Sequence, residues 1–287
     1  MKRVQRSHLK VEAQTHPGMV GKTNEDRYAV TAYASEAGEP VLFAVLSDGI
    51  GGHRAGEVAA ELTVNYIVEG VTQSSGKDPL ETMQSAIHTA SQAIASRSAG
   101  NASQEGMGAT CACVWVEGSR LYAAHVGDTR IYLVRGGKIQ RLTIDHTWVQ
   151  EALERGIINA EQARSHPNVH VLRRHLGSVE LPDVDFRLVL APGEDDQQAR
   201  NNQGSVLLPS DILLLCTDGL TDLIWDDEIL RLITTRNSLK SAAEDLVARA
   251  NERGGHDNIT VILIGVPKQR PSDGQHRKGF FRSLLGQ

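Results

Sequence analysis

The chain has 287 residues, 40% hydrophobic and 23% charged, with a formal net charge of −5 at pH 7. That length supports one large domain or two small ones around a sizeable core, and the acidic balance removes the positive field that a nucleic-acid binder needs. No apolar run approaches the roughly 20 residues of a membrane span, and the basic start MKRVQRSHLK is not followed by the apolar stretch of a secretory signal, so a cytoplasmic location is expected.

In chain order, HLKVEAQT (8–15) alternates apolar and polar residues and reads as a half-buried strand. RYAVTAY and PVLFAVLS follow as strands joined by a Gly- and Glu-bearing loop over 35–39. Apolar residues at helical spacing over 55–71, including Val58, Leu62, Tyr66 and Ile67, predict a helix. A second helix spans 79–96 with Pro79 in its first turn, and both should lay one face on a sheet. A meander comes next: ATCACVWV, SRLYAAHV, RIYLVR and KIQRLT are short strands divided by Glu-Gly, Gly-Asp and Gly-Gly turns that suit antiparallel pairing.

Short helices over 147–155 and 160–165 open a polar stretch through His175 that reads as a candidate mobile subdomain. FRLVLA then precedes PGEDDQQARNNQGS, which is too polar to be core, and helices over 226–233 and 239–253 lead to the strand VILIGV. The tail KQRPSDGQHRKGFFRSLLGQ has no room for an independent fold and reads as solvated, with a short surface helix over 280–285 as the alternative. Strict alternation of strand and helix is missing, so antiparallel sheets covered by helices are expected rather than a parallel sheet.

The three cysteines form no disulfide framework. Cys111 and Cys113 are too close on one extended segment to pair, and Cys216 lies within an apolar run. A thiol phosphatase would carry Arg six residues after its cysteine, where this chain has Glu117, Ser119 and Asp222.

Three acidic turns stand at the mouths of strands. SDGIGGH (47–53) follows VLFAVL, CTDGLTD (216–222) follows DILLLC, and GGHDNIT (254–260) precedes VILIGV. One Asp-Gly pair is an ordinary turn. Its repetition in a single context points to carboxylates held on rigid elements with their oxygens facing outward, as a preformed metal site requires. Asp and carbonyl oxygens select Mg2+ or Mn2+, and there is no His/Cys cluster for zinc.

The segments GMVGKTNEDRY, LSDGIGGHRAGEVAA, GMGAT, AAHVGDTRIYLVR, LTIDHT, LLCTDGLTD and GGHDNITV stand in the order found in bacterial metal-dependent serine/threonine protein phosphatases of the 2C type, which the chain resembles from about Gly18 to Val266. The resemblance implies an α+β fold, a β-sandwich of two antiparallel sheets flanked by antiparallel helix pairs (α-β-β-α). It gives one domain over 1–267 with a small helical flap at about 147–178, and a basic, flexible tail over 268–287. It implies two catalytic Mg2+ or Mn2+ ions with room for a third. Asp48 would bridge the pair, Asp218 and Asp257 would complete the first site, and the Gly49 carbonyl and Glu25 would serve the second. Asp26 would orient a metal-bound water. Asp128 would share a third ion with Asp218, or be a plain hairpin-turn residue.

The activity implied is hydrolysis of phosphoserine and phosphothreonine by direct attack of a metal-bridging hydroxide, the ions lying about 3.5–4 Å apart. His53 is the candidate acid for the leaving oxygen, or a histidine that only shapes its loop. The partners implied are phosphorylated proteins, substrates of a serine/threonine kinase in bacterial signalling or a sigma-factor regulator, met by a monomeric enzyme. A pseudophosphatase that binds phosphoproteins without turnover is the alternative.

The match departs in one place. Many relatives carry an Arg four residues before the Glu of NED, where this chain has Gly21. Lys22 is the nearest cation and the candidate for holding substrate phosphate, although on a strand a displacement of one residue would turn it away from the site. GMVGKT also ends like a nucleotide-binding loop, but the required first Gly is replaced by His16. Substrate choice is expected in 147–175, whose Arg155, Arg164, Arg173 and Arg174 either receive phosphopeptides or form a solvated face.

Overall fold

The computed structural model describes residues 1–51, 55–164 and 166–268. It begins with β1 (Lys2–Val4), β2 (Lys10–His16), β3 (Arg27–Ala34), β4 (Pro40–Ser47) and β5 (Gly49–Ile50), then the long helices α1 (Ala55–Gln73) and α2 (Pro79–Ala99). The meander is β6 (Gly108–Ala109), β7 (Cys111–Glu117), β8 (Arg120–Val126), β9 (Arg130–Arg135) and β10 (Lys138–Arg141). After α3 (Trp148–Glu154), α4 (Ala160–Arg164) and α5 (Asp196–Asn201) come β11 (Ser205–Val206), β12 (Ile212–Cys216), α6 (Asp218–Thr221), α7 (Asp226–Thr234), α8 (Leu239–Glu252) and β13 (Ile259–Gly265).

Two antiparallel sheets stack face to face. One has the order β1-β3-β4-β7-β8-β11 and the other β10-β9-β12-β13-β2, with β5-β6 as a separate ribbon. Alternation along a strand sends successive side chains to opposite faces, and here both faces are covered. On β4, Val41, Phe43 and Val45 pack under α1 and α2, while Leu42, Ala44 and Leu46 enter the core between the sheets. On β12, Leu213 and Leu215 enter that same core, while Leu214 and Cys216 pack under α7 and α8. The apolar runs of the central strands are therefore unbroken, because neither face meets water.

Local signals set the ends of the elements. The Asp78 side chain accepts the Glu81 backbone N–H at 3.1 Å and Pro79 opens α2, which satisfies donors the helix cannot pair itself. Gly136 and Gly137 carry φ of 57° and 75° between the paired residues Arg135 and Lys138, the two positive values that a tight I′ hairpin demands. The three cysteines are buried and free.

Several elements differ from the sequence expectation. The basic N-terminus adds an edge strand not singled out in the sequence, with Lys2, Arg3 and Val4 paired to Ala34, Tyr33 and Ala32. The polar insertion after FRLVLA contains α5, closed by a capping box between Asp195 and Gln198, and it buries Ala199. Its polarity belongs to the cap and the exposed face. His53, the tail from 269 onward and its 280–285 segment lie outside the described residues.

Candidate metal centre

All the acidic turns open at one end of the sandwich. Asp48 and Gly49 follow β4, Asp128 lies between β8 and β9, Asp218 begins α6 straight after β12, and Asp257 precedes β13. Because β12 and β13 pair antiparallel, with Cys216 opposite Val261, the end of one strand lies beside the start of the other. Glu25 and Asp26 reach the same place from the loop between β2 and β3.

Hydrogen bonds fix these turns against one another. The Asp48 N–H donates to Thr110 Oγ1 at 3.0 Å, and the Thr110 and Thr129 hydroxyls bond at 2.6 Å, which ties the Asp48 turn to the Asp128 turn. The Glu25 N–H donates to Asn258 Oδ1 at 2.7 Å, and Asn258 Nδ2 donates to the Pro17 carbonyl at 3.1 Å. Thr217 and Thr260 donate their hydroxyls to Asp26 Oδ2 at 3.0 and 2.6 Å. Gly219 is required by packing, since a Cβ there would lie 2.0 Å from the Asn258 carbonyl oxygen.

The electrostatics are those of crowded carboxylates. Burial, and then Asp26, Asp218, Asp128 and Asp257, push Asp48 well above the usual carboxylate range. Burial followed by Asp218 and Asp145 does the same to Asp128, against the pull of Arg130. Glu25 is pushed up to about 7 by burial and Asp257, with Lys22 opposing. Asp26 also rises to about 7, because burial outweighs its two threonine bonds. Apart from Lys22 and Arg130 the neighbouring charges named are carboxylates, so each ionisation makes the next harder.

The residues fit divalent cations on three observations. Asp26 Oδ1 and Asp218 Oδ1 are buried without a hydrogen-bond partner, an arrangement costly in a closed protein and natural for a ligand atom. A Cβ built on Gly56 would stand 2.7 Å from both Glu25 Oε2 and the Gly49 carbonyl oxygen, so these two donors converge on one point that only a glycine leaves open. The donors are carboxylate and carbonyl oxygens, the set that hard cations take.

Of the residues singled out in the sequence, Glu25, Asp26, Asp48, Gly49, Asp128, Asp218 and Asp257 come together here. Lys22 requires a correction. β2 ends at His16, so the segment is a loop rather than a strand, and Lys22 Nζ turns inward to Asp257 Oδ2 at 3.2 Å. Arg173 and Arg174 pair at the surface with Glu151 and Asp183, each at 3.1 Å.

Sequence reasoning missed two further groups. His170 Nδ1 lies 3.6 Å from Asp218 Oδ2 and 3.7 Å from Asp222 Oδ2, and the Asp218 carboxylate beside it, with Asp222, pushes it up to about 9 against burial. Burial and then Asp218 push Asp222 up to about 7. Asp222 had a local signal, since it stands four residues after Asp218 at a helix start, where such positions share a face. His170 had none, because a long irregular segment carries it in.

The family model for protein phosphatase 2C matches residues 15–263. Serine/threonine phosphatase stp of Listeria monocytogenes is 31% identical over 260 residues, covering 89% of this chain and 95% of the relative. The solved serine/threonine phosphatase of S. agalactiae superposes with a TM-score of 0.76 at 30% identity, covering 89% of this chain and 98% of that one. The catalytic domain of the serine/threonine protein phosphatase PstP, solved in complex with two manganese ions, gives a TM-score of 0.73 at 30% identity, with 90% and 97% covered.

Proposed function

The chain belongs to the protein phosphatase 2C family and is a metal-dependent protein serine/threonine phosphatase, and from that premise we propose how its own residues divide the work. Asp48, with Asp218 and Asp257, would hold one catalytic Mg2+ or Mn2+ ion, and Asp48 with Glu25 and the Gly49 carbonyl would hold a second. Asp128 with Asp218 would hold a third. The ions supply the positive charge that acidifies a water and offsets charge on the phosphate oxygens. The observation that supports this assignment most is the pair of buried, unpartnered oxygens on Asp26 and Asp218, which lie among crowded carboxylates.

Asp26 is held through one oxygen by Thr217 and Thr260, which leaves Oδ1 to accept a hydrogen bond from the attacking water and orient it. The water gives up one proton as its oxygen bonds to phosphorus and the bond to the serine or threonine oxygen breaks; a proton delivered to that oxygen then leaves a free hydroxyl and inorganic phosphate, with no net proton gained or lost. Lys22 is an exposed ammonium at the rim and contributes a point charge to phosphate binding, without the two-pronged grip of an arginine. His53 keeps its candidacy as the acid on the resemblance alone.

Segment 147–178 acts as the substrate-facing flap on a phosphatase domain of 1–267. The partners are proteins phosphorylated by a serine/threonine kinase, met in the cytoplasm by a monomer in a signalling role. No helix among the described residues is long and apolar enough to cross a membrane.

Hydrolysis of para-nitrophenyl phosphate and of a phosphothreonine peptide, with and without Mn2+ or Mg2+, tests the reading. Turnover that needs the metal and vanishes in Asp48→Asn is expected. Phosphopeptide binding without turnover at saturating Mn2+ would restore the pseudophosphatase, which the family relationship does not favour.

A further inference from the structure

The LTIDHT segment has no part in the chemistry above, yet its side chains grip the Asp128 turn from both sides. On one side, His146 Nδ1 accepts the Gly127 N–H at 3.0 Å, and the His146 N–H donates to the Gly127 carbonyl at 3.0 Å. On the other, the Asp145 carboxylate receives Arg130 Nε at 3.1 Å and Arg130 Nη2 at 2.7 Å. Further along, Thr143 Oγ1 accepts the Ile131 N–H at 3.1 Å. Asp128 and Thr129 thus stand between two residues that are each clamped.

The clamp is itself braced. With Nδ1 accepting, the His146 proton sits on Nε2 and donates to Asp185 Oδ2 at 3.2 Å. Arg187 holds the same carboxylate, and the His125 ring stacks on His146 with centroids 4.7 Å apart and planes 11° from parallel. The ring can neither slide nor flip without breaking a bond. His146 also stands at the root of the following segment, since the Arg173 N–H donates to the His146 carbonyl at 2.8 Å and Thr147 bridges Leu172.

We propose that His146, with Asp145, is a positioning residue that fixes the Asp128 turn for cation binding, so that the segment over 147–172 shares one frame with that carboxylate. This rests on the reading of Asp128 as a metal ligand. Glycine is an unrestrained residue to place before a ligand, and the two bonds from His146 remove that freedom. Partners that orient a metal ligand usually matter to affinity by about 10- to 100-fold.

Two substitutions at His146 separate positioning from packing. Asn places an acceptor where Nδ1 was and gives up the link to Asp185, whereas Gln reaches Asp185 and gives up Gly127. Direct Mn2+ binding to the metal-free full chain, read by equilibrium dialysis without substrate, is compared in wild type, His146→Asn, His146→Gln and Asp128→Asn. The expected result is that Asp128→Asn loses the weakest class of bound Mn2+, His146→Gln weakens that class about tenfold, and His146→Asn stays within about twofold of wild type. The tighter ions stay unchanged in both His146 variants.

Wild-type binding in His146→Gln beside loss in Asp128→Asn overturns the proposal and leaves Asp128 a ligand. Unchanged binding in Asp128→Asn overturns the ligand reading and the proposal with it. Equal weakening of every ion in both His146 variants reduces the residue to packing and also overturns it. If His146→Gln does not fold, Asp145→Asn carries the test: a weakening of about threefold or more in the weakest class supports the clamp, and none overturns it.

Discussion

At the mouth of the sandwich, carboxylates crowd one another and two buried oxygens have no partner, whereas on the far side of the Asp128 turn His125, His146, Asp185 and Arg187 form a buried cluster in which the polar side chains bond to one another or to the backbone. Both regions also offer metal-binding atoms close together. The difference lies in satisfaction. Although burial opposes it, hydrogen bonds from His146 and Arg187 hold Asp185 well below the usual carboxylate range, while burial and then like charges drive Asp48 above it. A satisfied network is a frame, and an unsatisfied one calls for a ligand.

Substituting each region in turn gives the sharpest contrast. Asp48→Asn should cost about a thousandfold or more in turnover, because several kcal/mol of charge stabilisation depend on the ions it holds. The same change should raise the melting temperature of the metal-free chain at neutral pH, since it removes a carboxylate that burial and its neighbours disfavour. Asp185→Asn should do the reverse, destabilising the fold by about 3–5 kcal/mol because Arg187 and His146 lose their charged partner. Denaturant unfolding of both variants decides it, and a loss of stability in Asp48→Asn would break the comparison.

The next effect is on pH dependence. Glu25, Asp26 and Asp222 are pushed up to about 7 in the folded, metal-free chain and return to ordinary carboxylate values on unfolding. Between about pH 4 and pH 7 the native state therefore binds more protons than the unfolded state, and its stability falls as pH rises. Cations displace those protons, so the gain in melting temperature on adding Mn2+ should grow from about pH 5 to pH 7. His125, pushed down to about 4 by burial and His146, loses stability below its unfolded value with or without metal and cancels in the difference. A gain that shrinks toward neutral pH would contradict the assignment.

The smallest effect concerns the rim. The Lys22–Asp257 pair is about half exposed on both sides, and exposed pairs contribute little. Lys22→Ala should leave stability unchanged and raise KM for a phosphopeptide about two- to fivefold with little change in kcat. An equal loss in kcat would move Lys22 from binding into the chemistry.

Much of the fold was legible because it rests on local signals. The continuous apolar runs of β4, β12 and β13, the Pro79 start of α2 and the paired glycines of the β9–β10 turn each predict the element that forms. Asp48, Asp218 and Asp257 stood out for a similar reason, since each sits in a short turn at a strand mouth, whereas Glu25, Asp26, Gly49 and Asp128 were legible only through the family resemblance. The short elements β1 and α5 were hidden, because three residues at a sheet edge or a capped polar helix carry no periodicity long enough to detect. His170 and the clamp of Asp145 and His146 were hidden more deeply, as their partners lie 15 to 48 residues away or more in sequence.

The sequence by itself determined that strands end in carboxylates suited to divalent ions, in an order that matches one family, because turn chemistry and side-chain alternation act over a few residues. Only the tertiary structure decided which oxygens are left unpartnered, that Lys22 faces inward from a loop, and that His146 holds the Asp128 turn. Those outcomes depend on satisfaction and proximity, which arise when distant segments close on one another and water is excluded from the groups between them.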